Sequence, residues 1–206
     1  MRRPAPPDVS SPEPDTQAAP QVERREVVRW LWRLPVLAAL GGAGWGVWEA
    51  YRVHFDKVDP DAPAFVPLTP QRVAGLGELA APWSAVTFEL RTAAGTTPAL
   101  ALRMPEAVAG GLEHAGGHLL AFSRVCTHQG CPVALQRDLE TLAVGFNYRT
   151  DTPALACPCH LSVFDPLEAG RAVSGPARDP LPRVQLEVRG AELWAVGLEA
   201  PARLEL

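Results

Sequence analysis

Two short segments, Cys126-Thr127-His128-Gln129-Gly130-Cys131 and Cys157-Pro158-Cys159-His160-Leu161-Ser162, contain all four cysteines and two of the five histidines of this 206-residue chain. Each offers one thiolate and one imidazole to a metal and keeps one cysteine in reserve. Two thiolates and two imidazoles can hold a 2Fe-2S cluster, with cysteine on one iron and histidine on the other. The same donor types also build tetrahedral zinc sites, but those usually space their ligands C-x2-4-C and H-x3-5-H rather than Cys-x-His. The two spare cysteines are free to pair.

In order and spacing, both segments resemble the Rieske iron-sulfur proteins, specifically those of quinol-oxidising cytochrome bc complexes. The resemblance implies a Rieske-type 2Fe-2S cluster held by Cys126, His128, Cys157 and His160, with His128 and His160 as the imidazoles that act on quinol. It also implies a Cys131 to Cys159 disulfide tying the loops together, and Ser162 as a hydroxyl donor to a bridging sulfide. High-potential members carry a tyrosine two positions beyond that serine, and its hydroxyl reaches a cysteine sulfur. This chain has Phe164 there, which lacks the donor, implies a lower potential and favours menaquinol over ubiquinol. Leu161 stands where the family has glycine, and residues 175–182 resemble the family's proline-rich loop over the cluster.

The function so implied is that of an oxidoreductase subunit. It takes an electron, with a proton, from quinol and passes it to a c-type cytochrome, beside a cytochrome b-type subunit, in a membrane quinol:cytochrome c oxidoreductase. The alternative is the small Rieske subunit of a periplasmic molybdenum oxidase of the arsenite oxidase type, where the cluster relays electrons and touches no quinol.

The elements that position these loops read mostly as strands. Residues 86–92, 99–103, 118–125, 142–148, 184–189 and 193–198 are strand-length apolar or alternating runs bounded by Gly, Pro and Asp. Arg189-Gly190-Ala191-Glu192 reads as a hairpin connection. No long amphipathic helical pattern follows residue 73, so residues 73–206 are expected to form an all-β sandwich or barrel carrying two protruding loops. The resemblance implies the same Rieske-type fold. His114 and His118, in a glycine-rich stretch, read as a strand turn rather than a second metal site.

Upstream, residues 1–23 are polar and proline-rich, the composition of a disordered tail. Arg24-Arg25 before an apolar stretch resembles a twin-arginine export signal. As a helix, residues 30–51 would reach about 33 Å, enough for a hydrocarbon core of about 30 Å. Trp30, Trp32, Trp45, Trp48 and Tyr51 would supply interfacial aromatics. Residues 24–55 therefore read as a retained single-pass transmembrane anchor, and a buried core helix is the alternative. The arginines before the span place the N-terminus in the cytoplasm and the Rieske domain on the outer, periplasmic side, where a disulfide persists. Residues 56–72, with Pro60, Pro63, Pro67 and Pro70, read as a stiff linker and hinge. From residue 56 onward, 12 Lys and Arg face 17 Asp and Glu, which disfavours nucleic acid and suits a basic electron acceptor.

Overall fold

The computed structural model describes residues 24–60 and 62–200, so the tail of residues 1–23 lies outside the described residues. Helix α1 (Arg24–His54) comes first. The chain up to Gly46 forms one unit and the chain from Val47 onward a second. The second unit holds β1 (Phe65–Gly75), β2 (Ala85–Thr92), β3 (Gly95–Met104), β4 (Leu112–His114) and β5 (Gly117–Ser123). After these come β6 (Ala134–Gln136), a short helix α2 (Leu139–Gly145), β7 (Ala154–Cys157), β8 (Ser162–Asp165), β9 (Arg171–Ser174), β10 (Val184–Arg189) and β11 (Glu192–Glu199).

The strands form three sheets with orders β1-β11-β10, β2-β3-β5-β4 and β6-β7-β8-β9. The central strands of the second sheet, β3 and β5, are buried on both faces, which explains why they read as almost continuous apolar runs. Alternate residues of a strand face opposite ways. Leu100, Leu102, Met104, Leu120 and Phe122 enter one core, shared with Val133, Leu155, Phe164 and the cysteines 126 and 157. Ala99, Ala101, Leu119 and Ala121 enter a second core with Val73, Leu79, Val184, Leu186 and Leu193. The middle sheet therefore carries the cluster loops on one side and braces against β1-β11-β10 on the other.

Four expected strands are recovered as β2, β3, β5 and β11 with shifted ends, and residues 184–189 match β10. Gly190, at positive φ, turns the β10-β11 hairpin. His114 and Gly117 flank the β4-β5 turn, as expected of a strand turn. Three expectations are corrected.

Residues 142–148 are not a strand. Asp138 caps α2 by accepting from the Glu140 amide at 3.0 Å and the Thr141 hydroxyl at 2.6 Å. Such a cap satisfies amides that a helix start leaves open. Leu142 is then buried against Ala154, Ala156 and Val163, with Phe146 one turn on, while Val144 points outward.

The linker read over residues 56–72 is largely ordered into the domain, because β1 begins at Phe65. β1 pairs only with β11, as an edge strand, and its register shifts between Pro67 and Gln71. Edge positions and bulges are where a strand tolerates proline.

The expected transmembrane helix is the third correction. α1 is helical, but no helix among the described residues is long and apolar enough to cross a membrane. Arg33, Glu49, Pro35 and the glycines 41, 42, 44 and 46 dilute its Leu and Val content.

One buried ion pair joins the sheets. Arg183 is fully buried and bridges backbone-to-backbone with Phe122 of β5. Its guanidinium meets both carboxylate oxygens of Glu199, at 2.6 and 2.8 Å, and donates to the Ala109 carbonyl at 3.1 Å. Removing one partner of such a pair strands a charge in low dielectric. Glu199→Ala should therefore destabilise the domain by about 3 to 5 kcal/mol in urea unfolding. A loss below about 1 kcal/mol would show that the pair does not hold the sheets together.

Candidate metal centre

Both cysteine-histidine segments are hairpin tips. Around residues 126–131 the chain turns back on itself, with the Cys126 amide donating to the Cys131 carbonyl and the Gly130 amide to the Cys126 carbonyl, each at 2.8 Å. The stem continues as a bridge between Val125 and Pro132. The second tip connects β7 to β8, where Cys157 and Ser162 face each other across the ladder. Leu161 closes that turn at φ +60 and is 46% exposed. Positive φ is strained for a bulky side chain such as leucine.

A disulfide between Cys131 and Cys159 joins the two tips. Cys126 and Cys157 remain as free, buried thiols. Among the described residues, the sulfurs of Cys131, Cys157 and Cys159 lie within 4.8 Å of one another. They are not a ligand set, because two of the three sulfurs are spent in the disulfide. The imidazoles of His128 and His160 lie edge to face with centroids 4.9 Å apart. His160 is exposed and His128 half-buried.

The donor set fits a metal cluster by its own chemistry. His128 Nδ1 is buried without a hydrogen-bond partner, an arrangement that costs free energy unless a ligand takes the nitrogen. Burial, and then the neighbouring His160, push the His128 imidazole below its ordinary pKa, which favours the neutral form that binds metal. Burial is also the main effect raising the Cys126 thiol, with Cys157 beside it adding to the rise, while the His128 and Gln129 amides donate to its sulfur and pull the other way. Those amides are pre-aimed at the thiolate that a bound cation would create.

A covering loop closes the site. Gly175 sits against the second tip so tightly that a Cβ would lie 2.5 Å from the Leu161 carbonyl oxygen. The Ala177 amide donates to Ser162 Oγ at 3.1 Å, leaving that hydroxyl its own proton to donate. Thr127 Oγ1 donates to the Asp179 carbonyl at 2.7 Å, so the loop also holds the first tip. Phe164 is fully buried in the core that contains both free thiols. The sequence singled out this loop by its prolines. It did not indicate Lys57, whose ammonium donates to the Gly175 and Ala177 carbonyls from 118 and 120 residues away.

Two free thiols and two imidazoles on joined hairpin tips of a β domain are a donor set suited to an iron-sulfur cluster. Residues 90–185 match the family model of the Rieske [2Fe-2S] domain, so this stretch is a Rieske domain, which implies a 2Fe-2S cluster. Over 72 residues the chain is 39% identical to the cytochrome bc1 complex Rieske iron-sulfur subunit of Corynebacterium diphtheriae, covering 35% of this chain and 15% of that one. Over 94 residues it is 36% identical to iodate reductase subunit IdrB of Denitromonas iodatirespirans, covering 43% of this chain and 45% of the relative. The chain thus spans less than half the length of either relative. The soluble domain of Rieske protein II from Sulfolobus acidocaldarius shares the fold, with a TM-score of 0.50 at 22% identity over 65% of this chain and 80% of that one.

Gly175→Ala must force the covering loop off the second tip, whereas a Cβ at Gly130, also at positive φ, meets nothing within 4 Å. Gly130→Ala should cost about 1 kcal/mol of backbone strain, and Gly175→Ala about 2 to 4 kcal/mol together with lower iron occupancy. Urea unfolding and iron analysis of both variants check this. Equal losses would mean that the loop does not bear on the tip.

Proposed function

We propose that Cys126, His128, Cys157 and His160 hold the 2Fe-2S cluster, and that the chain is the Rieske subunit of a quinol:cytochrome c oxidoreductase. The observation that carries this reading is the pairing of an exposed His160 with a half-buried His128 whose Nδ1 has no other partner. When bound, the cluster supplies a one-electron relay whose potential imidazole ligation raises above that of an all-cysteine cluster. His160 presents its ring at the surface, where it can accept a hydrogen bond from a quinol hydroxyl. The disulfide holds the two tips in register, and the covering loop keeps water from the thiol side. Ser162, fully buried, accepts from the Ala177 amide, which leaves its hydroxyl proton available to the site.

The partners that suit this role are a cytochrome b-type subunit and a c-type cytochrome, with menaquinol as the quinol because Phe164 offers no hydroxyl to a ligand sulfur. The similarity to a bc1-complex Rieske subunit supports this reading. A second reading, the small Rieske subunit of a molybdenum oxidase, is favoured by the similarity to an iodate reductase subunit, of which the match covers the larger share. Purifying the native complex through the full chain separates the two. A haem b signal and reduction of the cluster by menaquinol are expected, whereas a molybdenum subunit without cytochrome b would overturn the first reading.

Phe164→Tyr supplies the missing donor. A hydrogen bond worth about 1 to 2 kcal/mol corresponds to roughly 40 to 90 mV for one electron, so voltammetry should show the potential rising by that amount. No change would mean that the hydroxyl does not reach the sulfur, and menaquinol would lose its support.

A further inference from the structure

Residues 56–59 read as linker by composition, yet they are fastened along the outer side of the covering loop. The Val58 amide donates to the Arg178 carbonyl at 3.0 Å. The Arg178 guanidinium meets the Asp56 carboxylate at 2.6 Å and donates to the Asp56 carbonyl at 3.2 Å. Between these contacts, half-buried Lys57 donates to the carbonyls of Gly175 and, at 2.7 Å, Ala177. Arg171 reaches Asp59 at 2.8 Å, but Asp59 is 85% exposed and water screens that pair.

We propose that residues 56–59 are a latch on the covering loop, and that Lys57 is a positioning residue that sets the reduction potential through Ser162. This rests on the reading of Cys126, His128, Cys157 and His160 as the cluster ligands.

The argument runs through one residue. Ala177 accepts from Lys57 with its carbonyl and donates to Ser162 Oγ with its amide. Pro176 and Pro180 fix φ on either side of it, so this stretch has few ways to yield locally and shifts as a unit. The same unit reaches Thr127 through the Asp179 carbonyl, so displacing it disturbs both tips. Partly buried carbonyls need donors. Lys57 provides one ammonium for two of them, with charge-assisted bonds that outlast neutral ones. Without it, water must enter beside the Ser162 hydroxyl to take its place, and donor geometry and solvent access are what tune an iron-sulfur potential. Burial, and then the Arg171 and Arg178 cations, push the Lys57 ammonium below its ordinary pKa, while Asp56 pulls it back.

The test uses the full chain with cluster assembled, as wild type, Lys57→Met and Lys57→Arg, each with and without Ser162→Ala. Lys57→Met should exchange the Ala177 amide proton about tenfold faster or more, and should lower the potential. Lys57→Arg, which keeps charge and donors, should restore both. In the Ser162→Ala background the potential drop should shrink, because the path through the hydroxyl is gone. Unchanged exchange at Ala177, or an equal drop with and without Ser162, would overturn the latch and leave only a simple charge effect. Wild type that binds no iron would overturn the ligand reading instead, and the exchange measurement on that same protein would still decide the latch.

Discussion

Two hairpin tips whose cysteines lie 28 residues apart must meet at one point, and the Cys131–Cys159 bond makes them do so. In the chain-entropy view, closing a span of that length removes about 3 to 4 kcal/mol of freedom from the unfolded chain. Once the bond is made, Cys126 and Cys157 stand as buried neighbours, and the two imidazoles are brought edge to face. The same bond explains the division of labour among the cysteines. The half-buried Cys131 and exposed Cys159 brace, and the buried Cys126 and Cys157 stay free as thiols.

The remaining structure gives that joint a rigid base. Central strands β3 and β5, buried on both faces, let one core grip the tips while the other braces the sheet behind them. The Arg183–Glu199 pair links the end of β11 to the segment that leads out of the covering loop. The loop itself is held between the tips, through Ser162 and Thr127, and the residues 56–59 on its outer side. Contacts inward and outward from one stretch of backbone make the site sensitive to changes some distance from any ligand.

The site was legible because its residues are scarce and clustered. Four cysteines in two motifs leave few arrangements, and the Gly-Pro-Ala-Arg stretch announced the covering loop. Strands 184–189 and 193–198 were legible from period-two alternation. What stayed hidden depended on long-range contact or on a cap. Leu142 and Val144 alternate like a strand, and only the Asp138 side chain turned inward on the amides of α2 reveals the helix. Pro67 and Pro70 look like linker residues until β11 is known to pair beside them at an edge. Lys57 looked like one more linker charge because both its acceptors lie more than a hundred residues away. The apolar stretch of α1 was read by length and aromatic placement, while its glycines and flanking charges keep its mean hydropathy low.

The central claim is that two histidines and two cysteines from the joined tips hold the iron. Pulsed electron paramagnetic resonance of the reduced full chain, grown with nitrogen-15 histidine, tests it most directly. Strong coupling to two histidine nitrogens is expected, one of them lost in His128→Cys and the other in His160→Cys. A spectrum without histidine coupling, or a protein that retains zinc and no iron, would contradict the account.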